Sequence, residues 1–175
     1  SMDVVSQILT GFGVHRIVRT QTVADADKAL AGQNFDLIII DPELEGEDGY
    51  DFVRDLRHSN SINRFTPLLI LSGHARISRV WLGRDRGASF FVSKPITPAV
   101  LLERIYWVAG DRRKFVEGEG AAYAGPDRRF KFEGPPPGSD GRRAGDLPAE
   151  VGAQADQNMS DSELSDMFKP QKVII

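Results

Sequence analysis

Three side chains in this sequence stand at the ends of apolar runs, where they could act on one ligand together. Asp41 directly follows Leu37-Ile38-Ile39-Ile40, Ser72 closes the run Leu68 to Leu71, and Lys94, followed by Pro95, comes just after the run Ser89 to Val92. If each run is a strand of one parallel sheet, a carboxylate, a hydroxyl and an ammonium gather at its C-terminal edge, where open α/β sheets bind ligands. Such a set can hold a phosphoryl group, a divalent cation, or both. Taken singly, each residue also has a plainer reading. Asp41 could be a structural capping carboxylate with Lys94 as its ion-pair partner, a pairing of modest net worth. Ser72 could be an ordinary strand-end hydroxyl, and Phe91 part of the core. Only their common register gives them chemical weight.

The elements that must position these residues follow from hydrophobic periodicity. Val4, Val5, Ile8, Leu9 and Phe12 mark one face of a first helix, which Gly11 and Gly13 end. His15 to Arg19 reads as a short strand. Thr22 with Asp25 three residues on resembles a capping box, and Val23, Ala26 and Leu30 give the second helix its core stripe. Leu37 to Ile40 reads as a fully buried strand, followed by an acidic loop (Glu43, Glu45, Glu47, Asp48) and a helix on Phe52, Val53 and Leu56. After the strand at 68–71 come a fourth helix with Ile77, Val80 and Trp81, the strand at 89–92, and a fifth helix that Thr97 caps and Pro98 opens. Alternating helices and β-branched runs give an α/β class with a doubly wound parallel sheet covered by helices on both faces. Five helices with four strands, helix first, leave that sheet one strand short. The run Lys172-Val173-Ile174-Ile175, after Pro170, is the candidate to supply it.

The 175 residues leave room for one ordinary domain and an appendage. Lys and Arg number 22 against 25 Asp and Glu, a net charge of −3, so the bulk basic field behind nonspecific nucleic-acid binding is missing and no DNA partner is expected. The absence of cysteine excludes a disulfide framework, a thiolate nucleophile and cysteine-ligated zinc. Apolar runs are too short to span a bilayer, so no membrane insertion and a cytoplasmic location are expected. Residues 1–110 read as the folded domain. Six of the ten prolines lie after Gly110, so 111–160 reads as a Pro/Gly/Arg-rich extended or disordered tail, followed by a short amphipathic segment at 161–168 and the completing strand at 171–175.

With these residues in place, residues 2 to 107 resemble the receiver domain of bacterial two-component response regulators. The resemblance implies a flavodoxin-like five-stranded parallel sheet of order 2-1-3-4-5, circularly permuted or cut after its first strand. It implies that Asp41 is the phosphoacceptor, served by a histidine kinase or phosphotransfer protein in a phosphorelay. It also implies that Ser72 is the hydroxyl switch residue, Phe91 the switch aromatic and Lys94 the salt-bridging lysine, with Pro95 on a cis bond. Asp48-Gly49 fits the family's pattern after the acceptor, whereas Glu45 replaces a common proline. The family also implies Mg²⁺ at Asp41, but the acidic pair that helps hold it, which follows the first strand, is missing from this sequence. The stretch from Met159 reads like the natural beginning of such a protein placed last, and Ser1-Met2 could be a tag scar. Output is expected as altered protein contacts at the face of the fourth helix, fifth strand and fifth helix. The chain is expected to be a single-domain signalling protein and not an enzyme.

Arginines suggest further sites. Arg76, Arg79, Arg84 and Arg86 lie on or just after the fourth helix, and Arg76 and Arg79 share a face. This is either a solvated face or an anion site, since guanidinium forks bind phosphates and stack on bases. In some receiver-like flagellar proteins such a helix is associated with cyclic di-GMP, which makes a phosphorylation-independent adaptor binding that nucleotide through Arg76 and Arg79 the alternative function. Paired arginines recur at 112–113, 128–129 and 142–143, either as docking motifs for an acidic partner or as a solubilising linker. Leu164, Met167 and Phe168 form a short stripe in an acidic segment that loosely resembles the leading peptide of the flagellar switch protein that binds receivers.

Overall fold

The structure, a computed structural model, describes residues 2–44, 47–118, 123–128 and 160–168. Its centre is a parallel sheet of β1 (Ile38–Ile40), β4 (Leu68–Ser72) and β5 (Phe90–Ser93), in the order β1-β4-β5. The register runs Ile40 to Ile70, Ile70 to Phe91 and Ser72 to Ser93. All five residues of β4 are buried, as a parallel strand covered on both faces must be.

Four helices of the α/β unit follow the sequence pattern closely. In α2 (Val23–Gly32) the Thr22 hydroxyl accepts from Asp25 N at 3.2 Å, as the capping box predicts. In α5 (Pro98–Ala109) Thr97 accepts from Val100 N, Pro98 opens the first turn, and Leu101, Arg104 and Val108 form the buried stripe. Helix α3 (Gly49–His58) buries Phe52, Val53 and Leu56, while α4 (Ile77–Asp85) buries Val80 and Gly83. Helix α1 (Met2–Gly11) turns Val5 inward, with Ile8 and Leu9 packed on the core, but leaves Val4 and Phe12 exposed.

Two expectations change. Residues 15–19 are not a strand: residues 14–20 run extended without a ladder, and Val14 and Val18 are exposed. A strand exists only through its neighbour's backbone, and among the described residues nothing pairs with this segment. The reading of the stretch after Gly110 as a tail also changes, because β6 (Phe115–Glu117) and β7 (Ala124–Pro126) form an antiparallel pair. The pair seats against Gly87, whose φ of 95° suits glycine, and a Cβ there would collide with the Ala124 carbonyl. Aromatic and arginine side chains fix it further: Phe115 meets Phe65 at 5.3 Å between ring centres, and the Arg128 guanidinium lies 3.7 Å from the Tyr123 ring centre. Single apolar residues show no period, so pattern reading missed contacts made across the fold.

Helix α6 (Asp161–Phe168) forms where the amphipathic segment was read. It docks on β5, where Leu164 is buried in the main core and Ser93 Oγ donates to Asp161 Oδ1 at 2.9 Å. Burying that leucine is worth about 1.5–3 kcal/mol. The expected strand at 171–175 and most of the tail at 129–159 lie outside the described residues. So do the side chains of Met167 and Phe168.

Candidate functional site

Strand register brings the first three residues together. Ile40 lies beside Ile70, so Asp41 emerges next to the end of β4, while Lys94 N donates to Ser72 O at 2.8 Å just beyond the last rung between β4 and β5. The peptide bond from Lys94 to Pro95 is cis. Across this edge the Lys94 ammonium donates to Asp41 Oδ2, forming an ion pair whose side chains are 23% and 21% exposed. Asp41 Oδ1 accepts from Glu43 N at 3.2 Å. The carboxylate is therefore fixed, reachable from solvent and already neutralised by a cation.

The loop after Asp41 folds back on itself. Strands β2 (Glu43–Leu44) and β3 (Glu47–Asp48) pair antiparallel, and Gly49 N donates to Pro42 O at 3.2 Å. Asp48 Oδ1 accepts from Tyr50 N at 2.8 Å and so caps α3. Ser72 is buried, and its Oγ accepts from His74 N at 3.0 Å in a tight local turn. Phe91 is fully buried beneath α4, where a Cβ on Gly83 would stand 3.4 Å from its ring.

Beside Ser72 opens a cavity of about 460 Å³, with His74, Arg76 and Arg79 on one wall and Glu43 and Asp48 on the other. Arg76 and Arg79 thus share this cavity with Ser72, and the Arg79 guanidinium lies 5.7 Å from the ring centre of Tyr50. Burial pushes the Tyr50 phenol up to about 12, the nearby Arg79 opposing the rise. Sequence reading did not single out Tyr50 or the contact between His74 Nδ1 and Glu43 Oε1, 2.6 Å apart across the mouth of the site. Their one sequence signal is symmetry of position: Glu43 and His74 each lie two residues past a strand-end site residue. It also missed Asn63, fully buried, whose Oδ1 accepts from Phe35 N and whose Nδ2 donates to Leu30 O and Gln33 O, each at 2.8 Å. This side chain ties the entry to β1 to the end of α2.

A family model for the response regulator receiver domain matches residues 1–106. The chain belongs to that family. Among curated relatives, Protein PetR of Rhodobacter capsulatus is 37% identical over 82 residues, 47% of this chain and 33% of PetR. Transcriptional regulatory protein CseB of Streptomyces coelicolor is 35% identical over 119 residues, 63% of this chain and 48% of CseB. The chain therefore spans less than half the length of either. The solved chemotaxis response regulator CheY4 of Vibrio cholerae is 26% identical with a TM-score of 0.55, covering 61% of this chain and 87% of that one. The receiver domain of sensor histidine kinase PA1611 from Pseudomonas aeruginosa PAO1 shares the fold at 24% identity and a TM-score of 0.54, over 62% of this chain and 88% of that one; its structure has a magnesium ion coordinated in the active-site cleft. As a receiver, this chain is a module of two-component signalling, with the flavodoxin-like parallel sheet and helices of its family. Among the described residues no helix is long and apolar enough to cross a membrane.

The described residues do not make a magnesium site. Mg²⁺ demands near-octahedral oxygen coordination. At this sheet edge Asp41 already pairs with Lys94, and no group of three or more His, Asp or Glu suited to a metal occurs among the described residues. The expected cofactor thus finds one carboxylate of its set here.

Proposed function

We propose that this receiver accepts a phosphoryl group on Asp41 and signals by changing its protein contacts. The observation that carries this reading is the ion pair of Asp41 with Lys94 at the joint edge of β1, β4 and β5. A carboxylate oxygen attacking phosphorus needs a nucleophile held still and a positive charge for the oxygens of the incoming group. Glu43 N and Lys94 hold Asp41, and the ammonium is placed to pass from carboxylate to phosphoryl oxygen as charge builds there. Ser72 Oγ holds only a local turn and can rotate toward a new acceptor. Phe91, buried beneath α4, is the aromatic that would move with it and alter the α4, β5 and α5 face. The phosphoryl source is a phosphohistidine of a histidine kinase or phosphotransfer protein, whose P–N bond breaks and whose imidazole leaves as the Asp41 oxygen bonds to phosphorus, and the output is a downstream protein at that face.

The test is incubation of the full chain with acetyl phosphate and Mg²⁺, followed by intact-mass measurement. An acid-stable, base-labile phosphoryl adduct that Asp41→Asn abolishes is expected. No adduct on the folded protein, or one that persists in Asp41→Asn, overturns the reading.

A second reading, a phosphorylation-independent adaptor, has one observation in its favour: Arg76 and Arg79 line the same cavity as His74. Calorimetry with cyclic di-GMP tests it. Binding that Arg76→Ala and Arg79→Ala each weaken supports it, and no heat of binding removes it.

A further inference from the structure

Strand β5 lies at the edge of the sheet, paired with β4 on one side and with no strand on the other among the described residues. An edge strand ordinarily leaves a row of backbone groups and part of its side chains open to water. This one does not: Phe90, Phe91 and Val92 are at most 1% exposed. Helices α4 and α5 pack on β5, and the further helix packed against it is α6. The seat of α6 is narrow. Of the side chains described at 160–164, Leu164 is the buried one, and Ser93 Oγ donating to Asp161 Oδ1 at 2.9 Å is its polar anchor. The start of the helix makes itself: Ser160 N and Oγ each donate to Glu163 Oε2 at 2.7 Å, and Glu163 N donates to Ser160 Oγ at 3.4 Å, a capping box. Its eight residues are too few to hold a helix in water alone, so α6 owes its order to the seat on β5.

We propose that α6 is a displaceable internal ligand of β5: it occupies the side of that strand away from β4, and another molecule gains this surface only by removing it. Two features separate such a ligand from a permanent structural cover. The first is how little holds it. One leucine and one side-chain hydrogen bond seat α6, whereas β1, β4 and β5 are joined by their own ladders and by the core beneath α3, α4 and α5, so α6 can leave without undoing the sheet. The second is where its anchor stands. Ser93 is the register partner of Ser72 and precedes Lys94, the cation paired with Asp41. A helix tied to Ser93 therefore feels any shift of those residues. The segment 160–168 carries Asp161, Glu163 and Asp166 and no basic residue. A competitor for the same seat must likewise offer a leucine-sized apolar side chain and an acceptor for the Ser93 hydroxyl. That β5 belongs to the output face rests on the phosphorylation reading above; that α6 occupies and guards this side of the strand does not.

The probe is a synthetic peptide of residues 159–169, titrated to millimolar concentration into the isotope-labelled full chain and followed by its amide NMR shifts. Leu164→Asp in the full chain should free the seat. The peptide should then shift residues 90–93 at a concentration about tenfold or more below that needed with the unsubstituted chain, whose own α6 competes. A peptide carrying the same Leu164→Asp change should shift nothing. An equal response of the two proteins, or none in a folded Leu164→Asp chain, would overturn the proposal. If that variant fails to fold, hydrogen exchange in the unsubstituted chain decides: amides of 164–168 should exchange about tenfold or more faster than those of β4, because α6 opens without the sheet. Equal protection would show that α6 leaves only when the whole fold does, and would overturn the proposal. Light scattering checks the occupant, since a dimer that Leu164→Asp dissociates would seat α6 on a second copy and overturn the in-chain assignment. None of these readouts uses phosphate, so a missing adduct on Asp41 leaves them unchanged, and a present one does not rescue them.

Discussion

Removing both partners of the Asp41–Lys94 pair should cost less than the two single removals added together. At contact distance, about 3 Å, and an effective dielectric of about 20, two unit charges attract by roughly 5 kcal/mol. Both side chains keep about a fifth of their exposure, so partial hydration and the cost of desolvating two ions remove much of that gain. We expect Asp41→Asn to destabilise by about 1–3 kcal/mol, because it leaves the Lys94 ammonium without its counter-charge at a half-closed edge. Lys94→Met should cost a similar amount through the stranded carboxylate. The double variant should lose less than the sum, with a coupling of about 1–3 kcal/mol. Urea unfolding followed by circular dichroism measures it, each single variant lowering the midpoint by about 0.5–2 M at unchanged slope. The coupling should shrink as salt is raised, but only partly, since the pair is half-buried. A coupling below about 0.5 kcal/mol at low salt would show that the ion pair does not hold this edge, and the case for a preset nucleophile would fall with it.

Two further outcomes follow from the packing and the titrating groups. Gly87→Ala should destabilise by about 1–3 kcal/mol and raise protease sensitivity between residues 118 and 128, because the left-handed backbone and the Ala124 carbonyl both oppose a side chain; unchanged proteolysis would show that the β6 and β7 pair is not held there. Burial pushes the Tyr50 phenol from its ordinary 10 up to about 12, so its contribution is complete below pH 10 and is lost as pH rises towards 12, by at most about 3 kcal/mol in all. Tyr50→Phe should flatten that alkaline fall. A residual slope remains from Tyr123, also pushed up by burial, while Arg57, lowered to about 10 by burial, acts with the opposite sign in both proteins and cancels from the comparison. Equal pH profiles for the two proteins would refute the assignment.

Much of this protein was legible in the order of its residues. Periodicity located β1, β4 and β5 to within about a residue, and the caps at Thr22 and Thr97 act as their spacing predicts. Asp41, Ser72 and Lys94 could be placed at one edge because a parallel strand run fixes its own end. These are local signals, written within a few neighbours.

The tertiary structure decided what depends on distant partners. It set the extended form of residues 15–19, which need another backbone before they can be a strand, and it seated β6 and β7 on Gly87. It turned Arg76 and Arg79 toward the cavity beside Ser72, gave the Asn63 amide three backbone partners, and joined Ser93 to Asp161 across 68 residues of chain. No period or spacing records such contacts. They exist only once packing has selected which faces meet, because hydrogen bonds and burial reward positions in space and not neighbours in sequence.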